Sequence, residues 1–145
     1  MDNLQEIRTY ASSLGLIHTK NALETLIHTA ETGESSYVTF LQDVLGSEIR
    51  YRQDKAKEKR IKEAGFPYPK YLKDFDLSFC QSITKKQLNQ LSELTWIDGL
   101  YNLILSGPPG VGKTHMAIAL AYHACEEGYK ARYTTMQSLM QCLRT

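Results

Sequence analysis

Gly107, Gly110, Gly112, Lys113 and Thr114 stand at the spacing G-x-x-x-x-G-K-[ST], and no other feature limits so sharply what this chain can fold into. A triphosphate carries dense negative charge, so its site needs backbone N–H donors turned inward on a compact loop with few side chains in the way. The three glycines allow that approach. Lys113 supplies a point charge for the β and γ phosphates, and the Thr114 hydroxyl is placed to ligate Mg²⁺, a cation that prefers oxygen and keeps several waters. Pro108 and Pro109 stiffen the loop, because each fixes its own φ.

Such a loop has meaning only between a strand and a helix. Upstream, residues 101–106 (YNLILS) form a short, mostly apolar run that suits a strand buried on both faces. Downstream, Met116, Ala117, Leu120, Ala121 and Ala124 recur at helical spacing, with a stop predicted near Gly128. Residues 130–134 (KARYT) read as a second strand, and a further helix is expected to start between Thr135 and Ser138, with Leu139, Met140 and Leu143 on one face. This β-α-β-α order predicts the beginning of a parallel sheet.

The N-terminal half reads as helical. Leu4, Ile7, Ala11 and Leu14 share a face before Gly15, and Leu23, Leu26, Ile27 and Ala30 share another before Gly33. Ser35 or Ser36 is suited to cap a third helix of 25 residues or more, whose apolar positions Phe40, Leu41, Val44, Leu45 and Ile49 give way to charge. Residues 84–100 predict one more helix, with Leu88, Leu91, Leu94 and Ile97 on one side.

In that charged stretch, Arg50, Arg52, Lys55, Lys57, Lys59, Arg60 and Lys62 outnumber Asp54, Glu58 and Glu63. The plain meaning is a solvated helix face with i,i+4 pairs. The sharper one is a basic surface for nucleic-acid phosphates. The whole chain is nearly balanced, at 17 basic and 16 acidic residues and net +1, so any such surface is local.

Residues 66–79 (FPYPKYLKDFDLSF) change texture. Pro67 and Pro69 preclude a regular helix, and rings occur at Phe66, Tyr68, Tyr71, Phe75 and Phe79. Such a segment is expected to connect two domains and dock its rings on the second. Phe75 or Phe79 is also a candidate to border a base, since a base needs a flat apolar wall and the glycine loop provides none.

Other chemistry is thinly represented. Cys80, Cys125 and Cys142 are scattered, with no C-x-x-C pair, and His18, His28, His115 and His123 have no ligand spacing, so packing thiols and ordinary histidines are expected. The absence of a long apolar run and the polar N-terminus predict a cytoplasmic protein with no membrane partner. A dinucleotide fingerprint does not fit the glycine spacing.

The order of a helical N-terminal region, then AGFPYPKYLKDFDLSF, then LILSGPPGVGKTHMAIALAYHACEEGYKARYTT closely resembles the IstB-like transposition helper ATPases, relatives of DnaC-type helicase loaders in the AAA+ class. The resemblance covers essentially the whole chain, and the connector narrows what the loop alone leaves broad. It implies an α/β fold: a helical N-terminal domain (residues 1–65), an aromatic connector and lead-in helix (66–100), and a partial, C-terminally incomplete P-loop AAA+ domain (101–145). It implies ATP and Mg²⁺ as ligands, with Gly107, Pro108, Pro109, Gly110, Val111, Gly112, Lys113 and Thr114 as the phosphate loop, and Thr114 on the metal. It also implies DNA, a transposase and further copies of the chain as partners.

Members of that family continue into a Walker B acidic pair, a sensor residue and an arginine finger. No Asp or Glu follows Glu127 here, so ATP binding without competent hydrolysis is expected, because phosphoryl transfer needs a metal-side carboxylate and positive charge on the transition state. The runner-up readings are a DnaC-like loader, with a replicative helicase as partner, and a non-enzymatic DNA-binding helical remnant.

Overall fold

A computed structural model describes residues 3–33, 35–75, 77 and 83–144. The chain divides into two compact units, Met1–Ala56 and Lys57–Thr145, and each is described by itself.

The first unit is helical, as the periodicity predicts. Helix α1 (Asn3–Ser13) ends where Gly15 adopts a left-handed φ of 69°. The Leu16 N–H then reaches back to the Ala11 carbonyl at 2.7 Å, closing the last turn on itself. Helix α2 (Ile17–Thr32) follows, and its N-cap, Leu16, has no side chain able to cap. The missing acceptor comes from the third helix, α3 (Tyr37–Ala64). Glu48 accepts from the Thr19 N–H at 2.9 Å and from the Thr19 hydroxyl at 3.2 Å. Arg52 secures the other carboxylate oxygen at 3.2 Å while also donating to the Gly15 carbonyl at 2.9 Å. Glu48 is 3% exposed, and Ala11, Thr19 and Leu23 of this unit are buried as well. Ser36, of the two serines considered, caps α3 by accepting from the Thr39 N–H. Val38, Leu41, Leu45 and Ile49, at one-face spacing on α3, remain exposed.

The second unit is built around α6 (Lys113–Glu126), which buries Met116, Ile118, Ala119, Leu120, Ala124 and Cys125. Apolar contact on most of its circumference marks it as the core helix. Leu88 of α4 (Lys85–Ser92) packs with Met116 and Leu120, surrounded by Leu72, Phe75, Leu77, Ile83, Leu91 and Leu105. Thr84 and Gln87 cap α4 reciprocally. The single helix expected over residues 84–100 is broken. Leu94, buried at 2%, takes a left-handed φ of 59°, and a separate turn, α5 (Thr95–Asp98), follows it. Trp96 and Tyr129 then pin that turn, the indole N–H to the Leu91 carbonyl and the phenol to Asp98. The last helix, α7 (Met136–Cys142), starts on a Thr135 cap as expected, but its Leu139, Met140 and Leu143 face solvent.

The predicted parallel sheet is not seen. Among the described residues there is no strand: residues 101–106 and 130–134 carry no ladder. A strand exists only through bonds to a neighbour. Here the two segments form walls of one open groove of about 670 Å³, with Ala117, Leu120, Ala121 and Ala124 of α6 along its floor. Nothing between them supplies the pairing. Tyr133 instead donates its N–H to the Ala64 carbonyl at the end of α3, at 2.8 Å. Tyr101 and Ile104, expected to be buried on both faces, are 73% and 84% exposed.

Candidate nucleotide-binding site

The phosphate-type loop lies at the N-terminus of α6, where helix N–H groups lack intrahelical partners and the helix dipole is positive. Gly110 and Gly112 have φ of 85° and 89°, a region that costs any side chain strain, and a Cβ at Gly112 would come within 3.2 Å of the Phe75 ring. The space beside Gly110 is open. Gly112 is the N-cap of α6 and offers no side chain, which leaves the first-turn N–H groups for an external acceptor.

Lys113 folds back over the loop, with Nζ donating to the Gly107 carbonyl at 2.9 Å and the Pro108 carbonyl at 2.6 Å. Its ammonium is thereby held at the loop's mouth, satisfied by neutral acceptors that an anion could replace. Thr114 is exposed and opens toward the groove along α6.

Against the loop sits a cavity of about 230 Å³. Gly107, Pro108, Gly112 and Lys113 form one side, and Phe75, Ile83, Ile104 and Met116 supply apolar surface. Phe75 reaches this place from the connector, its ring set edge-on to His115 with centroids 5.4 Å apart. Of the two connector phenylalanines singled out from the sequence, Phe75 therefore meets the loop, whereas Phe79 lies outside the described residues, as does Cys80. The rest of the connector lies along the same helix: Phe66 and Tyr71 pack on Tyr122 at 5.9 and 4.9 Å. A hydrogen bond with Tyr71, followed by burial, pushes the Tyr122 phenol up to about 12. Ile83 carried no signal in the sequence that would have set it beside the loop, whereas Met116 was legible as the first apolar position of the helix that follows it.

Among the described residues, no group of three or more His, Cys, Asp or Glu could hold a metal ion by itself. Mg²⁺ takes oxygen ligands, substrate phosphates among them, and keeps several waters. The Thr114 hydroxyl is an exposed oxygen donor at the loop.

The seven basic residues of α3 are not equivalent. In the first unit Arg52 is engaged with Glu48 and Gly15, and Lys55 lies over the Tyr51 ring at 5.9 Å. In the second, Lys57 pairs with Glu126 at 2.6 Å, Arg60 donates to the Cys125 carbonyl at 2.9 Å, and Lys59 lies 3.8 Å from Glu63. Arg50 and Lys62 are exposed.

The family profile described as "IstB-like ATP binding protein" matches residues 9–145. The chain belongs to this family. This IstB-like chain is 34% identical over 141 residues to a Bacteroides fragilis protein named for an IS21-like insertion sequence and for ATP binding, covering 97% of the chain and 54% of that protein. A Pseudomonas aeruginosa protein named for insertion sequence IS21 and for ATP binding is 34% identical over 140 residues, covering 97% of the chain and 53% of the relative. A protein named for insertion sequence IS5376, from Geobacillus stearothermophilus, is 32% identical over 140 residues, covering 97% and 56%. The IstB-like chain thus spans about half the length of these curated relatives. Among its described residues no helix is long and apolar enough to cross a membrane.

Proposed function

We propose that the chain binds ATP with Mg²⁺ at Gly107–Thr114 and acts as the nucleotide-responsive helper of an insertion-sequence transposase in the cytoplasm. The observation that carries this reading is the loop itself: left-handed Gly110 and Gly112 leading into the bare N-terminus of α6, with the Lys113 ammonium held across the mouth. In this reading the loop N–H groups from Gly110 through Val111 to Thr114 wrap the β phosphate, while Pro109, which has no N–H, only shapes the turn. Lys113 exchanges its two carbonyl partners for phosphate oxygens, and Thr114 holds the metal, which neutralises phosphate charge when bound.

Nucleic acid is the partner we assign to the basic part of α3. Arg50 and Lys62 are exposed for phosphates, whereas Lys59, Arg52, Lys55, Lys57 and Arg60 contribute only where they leave their present contacts. The names of the relatives, all insertion-sequence proteins, favour a transposase over a replicative helicase as the protein partner.

The test is equilibrium binding of a fluorescent ATP analogue with Mg²⁺ to folded chain, wild type against Lys113→Ala. Loss of at least tenfold in affinity is expected, the magnitude of one charge-assisted phosphate contact. Equal affinity for both proteins would refute the site.

A further inference from the structure

Resting on the ATP reading above, we propose that Phe75 is the specificity-determining residue of the site, the flat wall by which it distinguishes a nucleotide from a bare polyphosphate.

The loop can recognise only phosphate. Its donors are backbone N–H groups and one ammonium, none of which senses what the phosphates are attached to. Discrimination requires a surface suited to an aromatic base, and the connector brings one ring into the cavity that contains Gly107, Gly112 and Lys113. That ring is held in place from two sides. Leu72, Leu77 and Phe75 all pack on the Leu88, Met116 and Leu120 cluster, and His115 meets the Phe75 ring at an interplanar angle of 79°. A ring fixed in this way loses little freedom on meeting a ligand, so its contact energy is retained in binding. Ile83, Ile104 and Met116 extend the apolar surface around it. The cavity therefore presents anion donors and a flat apolar wall together, the pairing expected for a purine nucleotide.

Proximity to Gly112 allows a competing role, in which Phe75 acts only by propping the loop. The two roles separate when the ligand is changed. Titration calorimetry of the full chain with Mg·ATP and with inorganic tripolyphosphate, on wild type, Phe75→Ala and Phe75→Leu, reads both. The leucine variant keeps an apolar contact against Gly112 while removing the flat face, so it remains informative if the alanine variant does not fold. The expected result is about a tenfold weaker affinity for ATP in each folded variant, in the range of one base–aromatic contact, with tripolyphosphate affinity changed by less than about twofold. Equal loss for both ligands would overturn the proposal in favour of a loop prop, and so would unchanged ATP affinity. Wild type that binds tripolyphosphate as tightly as ATP sinks the base wall and spares the phosphate loop. Wild type that binds neither sinks the ATP reading and the proposal with it.

Discussion

Replacing Glu48 tests whether α2 depends on a cap supplied from another helix. The carboxylate is almost wholly buried and accepts two bonds from Thr19, the backbone one serving an N–H at the start of α2 that Leu16 cannot reach. Burial by itself pushes the Glu48 carboxyl up; the Thr19 N–H, the Arg52 guanidinium and the Thr19 hydroxyl together outweigh it and hold the carboxyl below its usual range. Glu48→Ala removes the charged acceptor and strands the buried Thr19 N–H. Hydrogen bonds to charged groups contribute about 1.5–3 kcal/mol and an orphaned donor costs about 1–3 kcal/mol; these overlap, so a loss of about 3 kcal/mol is expected. Glu48→Gln keeps a neutral acceptor and should cost about 1.5 kcal/mol. Native-state hydrogen exchange at the α2 amides reads the effect as roughly a 150-fold loss of protection for alanine and about a tenfold loss for glutamine.

The pH dependence gives the sign. Because the native pKa is depressed, the stabilising contribution is complete above the ordinary glutamate value of 4.5 and is lost as pH falls through the lower native value. In urea unfolding, the wild-type advantage over Glu48→Gln should thus hold from pH 7 to about 5 and shrink below 4. A pH-independent advantage, or an alanine cost under about 1 kcal/mol, would refute the borrowed cap.

Three further outcomes are expected. Gly112→Ala forces a Cβ into a left-handed turn and toward Phe75, so it should cost about 1–3 kcal/mol of local stability and at least tenfold in Mg·ATP affinity by fluorescence titration. Leu100, 91% exposed with φ of 56°, should accept glycine with a gain of about 0.5–1 kcal/mol, whereas Leu94→Gly, at the same kind of φ but buried, should lose about 3 kcal/mol; paired thermal melts decide it. Arg60→Ala removes the donor to the Cys125 carbonyl and should lower the second unit's stability by about 1–2 kcal/mol, read from exchange of the α6 amides.

Much of this molecule is legible wherever the determinant is local. Apolar spacing located α1, α2, α3 and α6, the caps at Ser36, Thr84 and Thr135 stand in the sequence, and the glycine loop announces its own helix. Failure begins where a partner is distant. The sheet expected over 101–106 and 130–134 depends on strands beside it, and apolar, β-branched composition cannot supply a neighbour. The break at Leu94 has no glycine or proline to announce it; burial of the leucine is what holds an unfavourable φ in place. Glu48 lies 29 residues from Thr19, so nothing near Leu16 reveals how α2 begins. At the site, Phe75 is legible as a ring in search of a base and Met116 as part of the loop's own helix, but Ile83 gains its place only through packing.

Lys57 and Arg60 hold the carboxyl end of α6, one on the Glu126 carboxylate and the other on the Cys125 carbonyl, while the opposite end of the same helix carries the phosphate loop. These cations are already committed as counter-charge to a helix terminus. A polyanion that recruits them must withdraw that counter-charge, so tight binding at this part of α3 and firm anchoring of α6 draw on the same two side chains. Added salt then acts in two opposed ways: it competes with the polyanion for the lysine and arginine, and it weakens the Lys57–Glu126 pair that otherwise keeps the lysine occupied.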